Sequence, residues 1–297
     1  MFFSILIPTF NNFDYLKLTI NSIKKNSTFK HEIIVHINGK CNKTENFLNN
    51  LKIKYSNTLK NIGLCSSVNQ AFELSTKNYI VYSHDDMYFL PKWDSELISQ
   101  LKKINTNKFY LSSTQLSPNK YNEIINSKKK DYYYKANHIY YNAGSKINNF
   151  DENKLLKNFN KKKFYDLQGS HWAPHVIEKS MWKKIGGFSE EFDPGFGSDP
   201  DLNMKLWKEG VRIFKSVNKS RVYHFGSLTT RKNLNIQKNN GRKTFLLKWK
   251  ISINFFTKYY LRRGDEYKVP LLDFSLNKNN CYALILDKIK YFFLKIL

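Results

Sequence analysis

The sequence predicts an α/β fold, a mostly parallel sheet flanked by helices, followed by a C-terminal helical extension. Three observations carry this. Strand-like and helix-like segments alternate through the first half of the chain. Their βαβαβ order calls for parallel strands joined by right-handed crossovers. One strand then runs directly into two carboxylates, at the strand end where open α/β sheets bind ligands.

Phe3–Pro8 is a β-rich apolar run. Tyr15–Lys25 carries Leu16, Ile20 and Ile23 at helical spacing. Glu32–Ile37 reads as a strand through Ile33, Ile34 and Val35, Val68–Leu74 as a helix, and Tyr79–Ser83 as a buried strand. From about residue 105 to 163 the chain is rich in Lys, Asn and Tyr and has little periodicity. That stretch reads either as an insertion facing substrate or as a solvated excursion. Phe188–Gly210 is a second ordered block, with Asp199 as helix N-cap, Pro200 as the first helical residue and Gly210 as the stop. From Gly241 onward aromatic and basic residues alternate, and Leu246, Trp249, Ile253 and Phe256 share a helical face. Leu284–Leu297 is a further amphipathic segment.

Composition bounds the partners. A hydrophobic content of 41% suffices for a core and excludes global disorder. A net charge of +25 suits nucleic acid, an anionic membrane surface or a phosphorylated substrate, and equally a general drift toward Lys. The basic residues are scattered, and no nucleic-acid-binding motif is present, so no nucleic acid partner is expected. Cys41, Cys65 and Cys281 make neither a disulfide framework nor a zinc pattern, which fits a reducing, cytoplasmic setting. Met1–Phe10 lacks a basic leader and is interrupted by Pro8, so it reads as a strand and not a signal peptide. No window approaches the ~18 apolar residues of a membrane span. The expectation is a soluble protein, or one attached to the inner membrane face.

The acidic pair closes the run Tyr79-Ile80-Val81-Tyr82-Ser83-His84-Asp85-Asp86. Carboxylates at the end of a buried strand call for a cation or water. In an extended chain alternate residues share a side, so His84 and Asp86 converge while Asp85 points away. Imidazole and oxygen ligands suit Mg²⁺ or Mn²⁺ shared with a diphosphate. A turn or a helix cap would also account for the two aspartates.

This segment resembles the Asp-x-Asp motif of family 2 glycosyltransferases of the GT-A fold, with His84 in place of the first Asp. The resemblance implies that Asp86 binds the metal and that Asp85 lies near the donor ribose or sugar. Ser4–Asn11 is similar to the family's opening strand, which places Pro8, Thr9 and Asn11 beside the nucleobase. Asn61-Ile62-Gly63 with Asn69 is similar to its Asn-x-Gly segment. The family's Asp after the second strand is replaced by Ile37, leaving Asn38 as the nearest substitute. Gly186-Gly187-Phe188-Ser189-Glu190 and Ser198-Asp199-Pro200-Asp201-Leu202 resemble the acceptor-side block. By that likeness Asp199 is the catalytic base and Asp201 its alternative. The late strand ending at His224 resembles one that completes the metal site, although a lone strand histidine is also a common structural residue. Gln168–Trp172 resembles a stretch lining the sugar pocket, with Trp172 as a platform.

The resemblance implies a catalytic domain over residues 1–230 and a basic, aromatic extension over 231–297. Within the domain it implies a nucleotide-sugar half to about 104, an insertion at about 105–163 and an acceptor half at about 164–230. It also implies a UDP-, GDP- or dTDP-linked sugar donor, a glycan or lipid-linked acceptor, a divalent metal, and inverting transfer in surface polysaccharide or glycolipid assembly. The basic amphipathic residues of Gly241–Arg263 fit peripheral contact with an anionic membrane, or packing on the domain. A dinucleotide enzyme would need a Gly-x-Gly-x-x-Gly after the first strand, which is absent. A relative that binds a nucleotide sugar without catalysis remains an alternative, because of Ile37 and Ser198.

Overall fold

The structure, a computed structural model, describes residues 2–118, 138–161, 165–169, 173–226 and 240–296. Its first half is the predicted parallel unit. Strands β1 (Phe3–Thr9), β2 (Glu32–Asn38), β3 (Lys54–Thr58) and β4 (Tyr79–Tyr82) lie side by side in the order β3-β2-β1-β4. Helices α1 (Phe13–Asn26), α2 (Asn42–Asn50) and α3 (Leu64–Glu73) make the crossovers. Ile5 stands between Ile33 and Val81 in register, and every residue of β1 is buried. β3 is absent from the expected elements because Lys-Tyr-Ser-Asn-Thr is a half-exposed edge strand with no apolar run.

The second half mixes directions. It contains β5 (Met87–Phe89), α4 (Trp93–Leu101), β6 (Phe109–Ser117), β7 (His138–Tyr140), α5 (Glu152–Asn158) and β8 (Leu167–Gln168). It continues with β9 (His175–Glu178), α6 (Lys179–Ile185), α7 (Ser198–Lys208) and β10 (Ile213–His224). β9 sits between β4 and β6 and is antiparallel to both. β10 is parallel to β6 and antiparallel to β5 and β8. These antiparallel pairs distinguish the sheet from the simple parallel succession that the first half suggests.

Residues 109–117, which the sequence reads as part of an insertion, form a strand buried at all nine positions. The polar run Ser112-Ser113-Thr114-Gln115 hides it. Each of these four side chains is fully buried, and Ser113 Oγ lies 2.7 Å from Ser220 Oγ on β10. Paired hydroxyls remove the cost of burying polar groups, so a core strand can be built without an apolar pattern.

The extension begins with the helix Gly241–Trp249 and continues through Ile253–Tyr260 to a terminal helix, Lys278–Ile296. Phe245, Ile253, Phe255 and Phe256 are buried in the same core as the sheet. Gly241 is pressed against the second acidic block, where a Cβ would stand 1.7 Å from the Phe196 carbonyl oxygen. The apolar face of Gly241–Arg263 thus packs on the domain.

Candidate active site

The first acidic pair occupies the turn between β4 and β5. Ser83 N donates to the Leu6 carbonyl, which ties the end of β4 to β1. β10 arrives antiparallel to β5 with His224 opposite Met87, and Phe225 N donates to the Asp86 carbonyl. This pairing brings a distant histidine to the acidic turn. His224 Nε2 lies 3.2 Å from Asp86 Oδ1, and His84 Nδ1 lies 4.0 Å from the same oxygen. The two imidazoles approach to 3.4 Å, and all three ligand atoms fall within 4.8 Å of one another. Among the described residues this is the one cluster able to hold a metal ion.

The donor set fits a divalent cation. Burial, reinforced by neighbouring His224 and opposed by Asp86, holds the His84 imidazole down at about 4, so the ring is neutral at pH 7 and its lone pair is available. His224 Nδ1 lies 2.9 Å from Gln115 Oε1, and the Gln115 amide nitrogen donates to the Ala173 carbonyl. That second contact fixes which end of the amide faces the histidine. Nδ1–H therefore donates to Gln115, and Nε2 is the ring nitrogen turned toward Asp86. Gln115 was not foreseen, since its polar surroundings concealed the strand that carries it.

Asp85 points the other way, as strand alternation predicts. Thr9 Oγ1 donates to Asp85 Oδ2 at 2.6 Å, and Thr19 Oγ1 donates to its backbone carbonyl at 2.8 Å. Burial and the charge of Asp86 push the Asp85 carboxyl up, against the pull of the Thr9 hydrogen bond. Pro8 is buried beside Thr9, and Asn11 follows exposed with a left-handed φ of 50°.

The remaining residues expected on the donor side are engaged with the protein itself. Asn38 Nδ2 donates to Asn61 Oδ1 at 2.7 Å, and Ile62 N donates to Asn38 Oδ1 at 2.7 Å. The Asn61–Gly63 loop is thereby clamped to the end of β2. Gly63 has a φ of +91°, and a Cβ there would meet Asp193 Cγ at 2.2 Å. The close approach that the glycine permits in this structure is thus to Asp193, which takes the amide of Cys65 and the hydroxyl of Ser66 at 2.7 Å each, at the start of α3. Asn69 bonds both the nitrogen and the carbonyl oxygen of Phe188, at 3.0 and 2.9 Å. The two conspicuous sequence blocks are therefore bonded to each other. Trp172 lies outside the described residues.

The second acidic block opens α7, two residues earlier than expected. The N-cap is Gly197 with a φ of 89°, and the helix starts at Ser198, so Asp199 is the second helical residue and not the cap. Asp199 Oδ1 is buried and has no hydrogen-bond partner among the described residues. Burial pushes its carboxyl up to about 7, with Arg263 of the extension pulling against this. The lowering expected of a capping carboxylate does not occur, because the cap contact that would cause it is missing.

Asp201, by contrast, is fully committed. It accepts from Ser189 Oγ at 2.7 Å and Trp249 Nε1 at 2.8 Å, and it pairs with Lys248 at 3.0 Å. Lys248 and Trp249 belong to the extension, which thus helps to build the second block.

Tyr82 connects the two blocks. Its ring packs edge-on against His84, His175 and Phe188, at centroid distances of 5.5, 5.3 and 5.1 Å. Its phenol is pushed well up by burial and then by Asp199, Cys65, Asp85 and Asp86 in that order, so both acidic blocks act on one buried hydroxyl. Strand parity with His84 and Asp86 was the sequence signal that could have singled it out.

Residues 4–170, more than half of the chain, match the family model described as Glycosyl transferase family 2. No curated protein matches the chain in sequence. Among solved structures, a crystal structure of S. aureus TarS 1-349 is similar with a TM-score of 0.54 at 14% identity, over 86% of this chain and 72% of that one. The same fragment in complex with UDP gives 0.56 at 11% identity, over 98% and 71%. The crystal structure of GalNAc-T7 with UDP, GalNAc and Mn2+ gives 0.57 at 13% identity, and there the chain spans 87% of itself but half of the neighbour. At such identities the likeness is one of fold, and the fold is GT-A. With the family match over the first acidic turn and its parallel sheet, the chain belongs to glycosyltransferase family 2 and is a GT-A glycosyltransferase.

Proposed function

We propose that this enzyme moves a sugar from a nucleoside-diphosphate donor to a hydroxyl acceptor by one inverting displacement, with Mn²⁺ or Mg²⁺ held by Asp86, His224 and His84 and with Asp199 as the base. The observation that carries this reading is the approach of His224 Nε2 to Asp86 Oδ1 at 3.2 Å, beside a buried strand end. A donor set of two imidazoles with one carboxylate favours Mn²⁺ over Mg²⁺, which prefers oxygen alone. A divalent ion at this point supplies positive charge for the departing diphosphate.

The protein residues divide the remaining work. Thr9 and Asp85 face the donor at the end of β1, and Pro8, Asn11, Asn38, Asn61, Gly63 and Asn69 shape the wall around it. UDP is the favoured nucleotide, because similar structures of TarS and GalNAc-T7 were obtained with it. Trp172 serves as the sugar platform. Asp199 takes the acceptor's proton as the acceptor oxygen attacks the anomeric carbon and the nucleoside diphosphate departs from the opposite face. A carboxyl raised to about 7 is well matched to that task near neutral pH. Asp201, bound by three side chains, braces the helix that carries Asp199. The acceptor is a glycan or lipid-linked hydroxyl, in the assembly of surface polysaccharide or glycolipid on the cytoplasmic side.

Chelation tests the reading. Transfer from a nucleotide-sugar library, UDP sugars first, is expected to stop in excess chelator and to return with Mn²⁺. Undiminished transfer in chelator would remove the metal from the mechanism.

A further inference from the structure

The terminal helix Lys278–Ile296 is amphipathic the wrong way round for a helix that ends at a domain surface. The side turned to the domain is polar at its two buried positions: Asn280 and Asp287 are 3% and 4% exposed. Asp287 is held there by the amide of Ser252, at 2.6 Å, and Asn280 donates to the Ser275 carbonyl at 2.9 Å. The side turned to solvent is apolar. Tyr282, Phe292, Phe293 and Ile296 are 60–70% exposed, and Ile285 and Ile289 lie between them. At about 100° per residue these side chains fall within one narrow arc. Leaving two phenylalanines and three isoleucines in water forgoes the burial that normally seats a surface helix. Ala283 and Leu284 contact the core, so the helix is anchored and its outer face is fixed in place.

Charge says what covers that face. Lys288 and Lys295 border the apolar arc on one side and Lys290 on the other, all exposed. Arg242, Lys243 and Lys258 join Lys290 around a groove of about 530 Å³ beside the helix. The whole chain carries +25. An apolar stripe between lysines is the pattern that lies in a bilayer interface with its cations at the headgroups. Among the described residues no helix is long and apolar enough to cross a membrane.

We propose that this helix seats the enzyme on an anionic lipid surface, with Phe292, Phe293, Ile289 and Ile285 in the acyl boundary and the basic groove on the headgroups. Of the two readings the sequence left open for Gly241–Arg263, membrane contact or packing on the domain, the structure shows packing, since the apolar face of that segment is spent on the core. The proposal is independent of the metal and base assignments.

Co-sedimentation of the chain with phosphatidylcholine vesicles, with and without phosphatidylserine, tests it. Binding is expected to the mixed vesicles at low salt and to weaken as salt is added. Phe292→Glu with Phe293→Glu is expected to lower the partition coefficient by about a hundredfold. Lys288→Glu with Lys290→Glu is expected to lower it by about tenfold or more. Both double variants change exposed positions, so their melting temperatures should match the native chain. Absence of binding at low salt, or binding unaffected by the phenylalanine pair, would overturn the proposal. A native dimer that the phenylalanine variant breaks into monomers, seen by sedimentation velocity, would also overturn it and assign the face to a second copy.

Discussion

The two acidic blocks solve the same problem with different means. Each presents a pair of aspartates and commits one of them to the protein. At the first block Asp85 is held by Thr9, which leaves Asp86 facing His224 and His84. At the second, Asp201 is held by Ser189, Trp249 and Lys248, which leaves Asp199 with an unbonded, buried oxygen. The first block is made by sheet pairing, since β10 brings His224 alongside the turn. The second is made by a helix start and by residues of the extension. The comparison teaches that a carboxylate's neighbours, and not its place in a motif, decide between support and chemistry. A carboxylate beside imidazoles is suited to a cation. One stranded by burial is suited to accept a proton.

Substitutions can break this division of labour. The largest effect is expected at Asp86→Ala, which should lower transfer by about a thousandfold and abolish Mn²⁺ binding measured by calorimetry. Retained metal binding would show that the histidines suffice. Asp199→Asn should lower transfer by about a hundredfold while donor affinity stays the same.

The pH dependence of stability sharpens that second test. The folded carboxyl of Asp199 titrates at about 7 and its ordinary value is 3.8, so the native state binds the extra proton between these values. Its stabilising contribution is present below 3.8 and is lost as pH rises through about 7. Asp199→Asn should therefore melt above the native chain beyond pH 7, with the gap closing toward pH 3.8. An unchanged gap across that range would show that the carboxyl is not raised. The smallest effect on turnover is expected at Asp201→Asn, which should leave transfer close to native and lower stability by about 1–2 kcal/mol in denaturant melts. A collapse of transfer without loss of stability would exchange the two roles.

The parallel half of the sheet could be read from the sequence because its strands are apolar and its helices periodic. β1, β2 and β4 appear within two residues of their expected bounds. The separation of Asp85 from Asp86 could be read too, since alternation along a strand is local. β6 could not, because its buried polar side chains Ser113, Thr114 and Gln115 are satisfied by groups distant in the chain, at Ser220, Val217 and Ala173, and nothing in a linear pattern records that pairing.

The same limit governs the site. By itself the sequence determined the family, the fold and the residue types at the strand end, because each depends on short-range order and motif spacing. Tertiary structure alone decided that Gln115 orients His224 and that Lys248 and Trp249 occupy Asp201. It also decided that Asp199 stays uncapped and that the terminal helix turns its phenylalanines outward. Those outcomes depend on which distant groups meet and which are left in water, and both are set by the packing of the whole chain.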